Sequence, residues 1–204
     1  GHVQGLKSST PFDPALARAL LDKFGYKDRD GDGFRDLPDG KPLTLTMGSA
    51  PTGENRIRDE LWLKNMKEIG IRIEFLKQKW PDLLKMSRAG QLQMWQLGWT
   101  ADIAESFMQL AYGPNAGETN LGRFKSAEYD DLFKQSRRVK SDAERDKLYA
   151  RMTEIIAAQA PLGGGIYRIE NTIAQPWVLG YLKSSFTQQG WRYLDIDLAR
   201  MKRP

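Results

Sequence analysis

Two groups of side chains in this chain of 204 residues have the types and spacing that chemistry needs. The first is the run Asp28-Arg29-Asp30-Gly31-Asp32-Gly33-Phe34-Arg35-Asp36-Leu37-Pro38-Asp39. Counted from Asp28, carboxylates fall at positions 1, 3, 5, 9 and 12, a glycine stands at 6, and Phe34 offers its carbonyl at 7. That is the spacing of an EF-type calcium loop, in which oxygen ligands wrap one hard cation and the glycine permits the sharp turn. Two features depart from it. Asp39 is shorter than the bidentate glutamate of such loops, and Gly40-Lys41-Pro42 leads into a strand instead of a second helix. The competing reading is an Asp/Gly turn whose acids are solvated; an ion, if held, would be structural. The second group lies at the end of the apolar run Met94 to Trp99, which has strand length and aromatic content. It closes in Trp99-Thr100-Ala101-Asp102, placing a carboxylate just past the C-terminal end of a strand. Open α/β sheets bind ligands at that end. A Gly/Pro/Asn-rich loop from Gly113 to Gly122 follows, long enough to be a binding loop. The plain alternative is a buried strand and an ordinary surface loop. Asp102 and Glu105 also suggest a carboxylate-using hydrolase, but they share one helix start and no partner group is in view.

Composition narrows the chemistry further. There is no cysteine, which excludes disulfides, thiolate metal sites and cysteine nucleophiles. The single histidine is His2, within an opening that reads as a purification-tag remnant and lead-in over residues 1–12. Without it, no imidazole is present for a Ser-His-Asp triad. The net charge of +5 is spread among interleaved acids and bases, with none of the basic runs that mark a nucleic-acid surface. No stretch approaches the ~20 apolar residues of a membrane span. The expectation is a non-catalytic protein with no required cofactor, structural calcium being the one candidate ion.

These groups must be positioned by the elements around them. Asp13-Pro14 opens a helix with an N-cap acid and an N1 proline, and Gly25 closes it. Ala15, Ala17, Leu20, Leu21 and Phe24 form its apolar face. Strands are expected over 42–47 and 71–75. A helix over 55–69 carries Ile57, Leu61, Trp62, Met66 and Ile69 at helical spacing, and a short helix spans 81–89. Strand, helix, strand, helix, strand with short connections predicts right-handed crossovers and a largely parallel sheet. Ser126 reads as the N-cap of a further helix. Ser141-Asp-Ala-Glu144 is the capping box of another, running to about Ala160 with Leu148, Met152, Ile155 and Ile156 inward. Residues 166–169 and 172–174 read as strand, and 176–204 as an aromatic-rich tail.

Several of these motifs occur together, in an order that resembles the C-terminal lobe of family 5 extracellular solute-binding proteins. They are the Asp13-Pro14 helix ending near Gly25-Tyr26, Asp30 to Asp36 leading to Asp39-Gly-Lys-Pro-Leu43, and Gly98-Trp-Thr-Ala-Asp102. Glu128-Tyr-Asp130, Arg145-Asp-Lys-Leu-Tyr149 and Pro176-Trp-Val-Leu-Gly-Tyr181 complete the set. That family serves ABC importers for oligopeptides, dipeptides, nickel complexes and some sugars. The resemblance implies an α/β lobe over 13–175, one half of a two-lobed periplasmic-binding-protein-like fold. It implies a return segment over 176–204 that packs on a missing N-terminal lobe, a membrane permease as partner, and a periplasmic or extracellular location. It further implies that Asp102 pairs with the α-amino group of a peptide, while Trp99, Ala101 and Asn120 line the cleft. The departure is Ile103-Ala104-Glu105-Ser106, where an aromatic, a variable residue, an acid and proline are common. If the tail lacks its partner lobe, Trp177, Tyr181, Phe186, Trp191 and Tyr193 must fold down locally or drive self-association.

Overall fold

The computed structural model describes residues 12–100, 103–164, 171–181 and 190–201. Its first layer is a three-stranded parallel sheet of β1 (Thr44–Ser49), β2 (Arg72–Lys77) and β3 (Met94–Trp95), with β1 in the middle. Helices α1 (Pro14–Lys23), α2 (Gly53–Glu68) and α3 (Trp80–Arg88) precede and connect the strands. Local chemistry fixes where each helix starts. Asp13 accepts the amide of Leu16, with Pro14 as the first helical residue, and Thr52 caps α2 through the amide of Asn55. Met47, Ile71, Ile73 and Leu83 are the buried apolar residues of this layer. The α/β class and the parallel sheet are as the spacing predicts.

A second, helical layer carries its own core. A single turn, α4 (Glu105–Met108), and two 3₁₀ turns lead to α5 (Ala127–Ser136) and α6 (Asp142–Gln159), which pack on each other. Ala111, Tyr129, Phe133, Tyr149, Met152 and Ile155 are buried between them. The caps are those expected: the Ser126 hydroxyl accepts from Tyr129 N, and Ser141 from Glu144 N. Arg145 then closes the α5 end from the next helix, donating to the carbonyls of Ser136 and Val139 at 3.2 and 2.8 Å. A two-stranded antiparallel ribbon, β4 (Val178–Leu179) with β5 (Asp195–Ile196), follows.

Four expectations are corrected. The strand over 94–99 pairs only at Met94 and Trp95, leaving 96–100 irregular. The apolar face of α1 buries none of its residues. On α2, Ile57 and Leu61 face solvent, Ile57 at 71% exposure, and the one buried residue is Asp59. A carboxylate has displaced the apolar stripe, because the Lys77 ammonium and the Ser49 hydroxyl meet it at the strand ends. The segment 172–174 is not strand, and Ile173 is 93% exposed. In the tail Trp177 is half-buried, while Tyr181 and Tyr193 are exposed. The strand expected over 166–169, Phe186 and the side chain of Trp191 lie outside the described residues.

Candidate ligand-binding edge and acidic loop

The three parallel strands end on one edge of the sheet. In register, Ser49 of β1 stands beside Lys77 of β2, and β3 runs out toward Trp99. The buried Asp59 reaches this edge from α2. The Ser49 hydroxyl lies 2.8 and 3.0 Å from its two oxygens, and the Lys77 ammonium pairs with the same carboxylate. Lys77 also sits 3.3 Å from Ser49 Oγ and 5.2 Å from the centre of the Phe75 ring. A buried charge without a partner is costly; here serine and lysine satisfy it and tie α2 to both strands. Nothing in the spacing had marked this trio. The available signal was Asp59 itself, an acid on the side of α2 that faces the sheet.

Beyond β3, Trp99 is 36% exposed. Ala101 and Asp102 lie outside the described residues. Asn120, expected to line a cleft, is fully buried at 0% exposure. Its amide donates to the carbonyls of Tyr112 and Phe124 at 3.1 and 2.9 Å and accepts the Phe124 amide at 3.1 Å. Its backbone carbonyl accepts from Gly117 and Arg123. Asn120 therefore shapes the loop 113–122 from inside. Asp130 holds the start of the same loop, its carboxylate accepting Gly113 N at 2.7 Å. Tyr129, its neighbour, plugs the core and donates to Met108 O at 2.7 Å. The Glu128-Tyr-Asp130 motif thus has one residue for the core and one for the loop.

The acidic loop divides. Ligand atoms of Asp28, Asp30 and Asp36 lie within 4.8 Å of one another. Asp28 accepts the amides of Gly31 and Gly33, and Asp36 accepts that of Arg29. Asp32 and Asp39 are drawn elsewhere, Asp32 to Arg72 and Asp39 to Lys41. Each pulls its carboxyl below the usual range. For Asp32 the leading cause is the Phe34 amide, then Arg72; for Asp39 it is Lys41. The Phe34 ring lies under the Arg72 guanidinium at 4.6 Å. Of the five acids, three gather their oxygens together and two pair with basic side chains. The lysine and arginine that take the other two stand outside any spacing rule for the loop.

Comparison with known proteins fits this architecture. A haem-binding protein A from Haemophilus influenzae is 26% identical over 92% of this chain, and a dipeptide-binding protein from Pseudomonas aeruginosa is 27% identical over 74% of it. The chain spans about a third or less of these relatives, 33% and 28% of their lengths. Among solved structures, the periplasmic binding protein DppA of Helicobacter pylori, in complex with the peptide STSA, superposes with a TM-score of 0.64. It is 26% identical, over 78% of this chain and 30% of that one. An oligopeptide-binding protein of Thermotoga maritima gives a TM-score of 0.67 at 22% identity, over 73% of this chain and 30% of that one. Residues 1–119 match the model for bacterial extracellular solute-binding proteins, family 5 middle region. That match covers more than half of the sequence, and the chain belongs to the family 5 bacterial extracellular solute-binding proteins.

Proposed function

We propose that this chain supplies one wall of the ligand cleft of a periplasmic substrate-binding protein serving an ABC importer, and that the ligand is a short peptide. The observation that carries the reading is the shared C-terminal edge of three parallel strands, where Ser49 and Lys77 stand side by side and Trp99 is exposed beyond β3. Relatives named for dipeptides and oligopeptides, and one solved with a bound peptide, support the ligand class. The second wall comes from the remaining length those relatives have, and a membrane permease receives the loaded protein. The role is capture and release, with no bond broken. Asp102 takes the α-amino group: a carboxylate in a closing, drier cleft makes a charge-assisted bond stronger than one in water. Titrating the intact protein calorimetrically with trialanine and with N-acetyl-trialanine tests this. The free amine binds, and acetylation removes most of the affinity. Equal affinities would contradict the role of the amine, and no heat from either would contradict the peptide.

We further propose that Asp28, Asp30 and Asp36 hold a structural calcium ion, on the strength of their clustered oxygens. Calcium in hundredfold excess over its dissociation constant then raises stability by about 2.7 kcal/mol. The rise disappears in Asp30→Asn. Identical melting curves in calcium and in chelator leave the loop as a self-bonded turn.

A further inference from the structure

We propose that Lys77 is a specificity-determining residue of the ligand edge: its ammonium takes the C-terminal carboxylate of the bound peptide, at the end opposite the amine. This rests on the proposed binding role of that edge. Lys77 is the last residue of β2 and stands in register with Ser49, the last of β1, so it lies where the parallel strands end. Ile73, Phe75 and Lys77 alternate onto one face of β2, the face from which Asp59 of α2 meets Lys77. Ile73 is buried and Phe75 half-buried, and the Lys77 ammonium lies 5.2 Å from the centre of the Phe75 ring. The Lys77 side chain is nonetheless 44% exposed, against 10% for that of Asp59. The acid is inside and the cation looks out.

That ammonium is held without being used up. It pairs with the Asp59 carboxylate and lies 3.3 Å from Ser49 Oγ. The Ser49 hydroxyl donates its own proton to Asp59, 2.8 Å away, which leaves its oxygen to accept from the lysine. An ammonium carries three N–H donors, and its polar contacts among the described residues occupy two. The third serves the exposed side. Holding the lysine by carboxylate, hydroxyl and ring also fixes a side chain that would otherwise lose freedom when a ligand binds. Strand order sets the cation at a useful distance. β2 lies on the far side of β1 from β3, two strand spacings or roughly 10 Å away. An extended chain advances about 3.3–3.6 Å per residue, so three residues cover that span. A tripeptide whose amine is held beyond β3 therefore brings its carboxylate to the end of β2, where a charge-assisted bond awaits it.

The test compares trialanine with trialaninamide, which lacks the carboxylate, by calorimetry on the intact protein. The wild type is expected to bind trialanine about tenfold more tightly than the amide. In the double variant Asp59→Asn with Lys77→Met, which leaves no buried charge unpaired, the two ligands should bind alike, trialanine having fallen to the level of the amide. Lys77→Arg keeps the cation and most of the preference. Lys77→Gln, whose amide still donates to Asp59, takes the place of the double variant if melting shows that the latter does not fold, and it too should lose the preference. Equal binding of the two ligands by the wild type overturns the inference and leaves the peptide reading standing. A tenfold preference that survives in the neutral variants overturns it as well, reducing Lys77 to the counter-charge of Asp59. No heat from either ligand is a different failure: the peptide reading falls, and the carboxylate role falls with it.

Discussion

Replacing Asp102 by asparagine in the intact protein is expected to weaken peptide binding by about 2–5 kcal/mol while leaving the fold intact. The size follows from the proposed pairing: truncating one partner of a charge pair that a closed cleft removes from water leaves the ligand ammonium its desolvation cost without its counter-charge. Asparagine retains shape and one acceptor, so the loss reports charge more than packing. The fold is expected to survive because an acid at a cleft rim is seldom structural. Calorimetry with trialanine reads the affinity and thermal melting reads the fold. An affinity within a factor of two of wild type would remove Asp102 from the site.

The second large effect is at Tyr129. Its side chain is among the largest fully buried ones, meeting Phe124 edge-on at 6.0 Å and donating to Met108 O. Tyr129→Ala is expected to cost about 3–5 kcal/mol of stability, the price of an aromatic-sized cavity. Tyr129→Phe keeps the ring and costs about 1 kcal/mol for the lost hydrogen bond. The pair also separates by pH. Burial, with the nearby Asp130 carboxylate and then Tyr149, raises the Tyr129 phenol well above its ordinary value. The folded state then holds its proton while the unfolded chain, above pH ~10, has released it. The unfolded state binds fewer protons, so stability falls as pH rises past that point toward the folded value. Urea denaturation at pH 7 and pH 11 checks this: the wild type should lose more between the two than Tyr129→Phe. Equal losses would mean that the phenol is not the group responsible.

How much of this was legible in the residues depends on how far each contact reaches. Asp13, Ser126 and Ser141 cap helices through amides three residues away, and all three were readable as caps. The parallel sheet was readable too, since alternating strand and helix with short connections leaves little choice. What failed was long-range. No local rule says that Asp59 turns inward to meet Ser49 and Lys77, so the stripe through Ile57 and Leu61 looked like core. Asn120 sits in a polar loop, where an amide looks available to a ligand, yet three internal hydrogen bonds consume it. Asp32 and Asp39 fit a metal-loop spacing, but Arg72, distant in sequence, and Lys41 claim them. The run of six residues from Met94 pairs only at Met94 and Trp95, against Met47 and Gly48, and leaves the sheet at Gln96 although β1 continues to Ser49. The outer face of α1 is a similar case. Its amphipathic pattern is real, but none of its residues is buried in this chain.

The reading of the strand edge as half of a peptide cleft meets its most direct test in native mass spectrometry of the intact protein, purified without denaturation. The expected spectrum shows a ligand-bound species heavier than the bare chain by the mass of a short peptide, released on gentle activation and sequenced as amino acids with a free amino end. Asp102→Asn should carry much less of it. A bound mass that fragments as a sugar or a metal chelate, equally retained by the mutant, would contradict the peptide assignment and the role of Asp102 together.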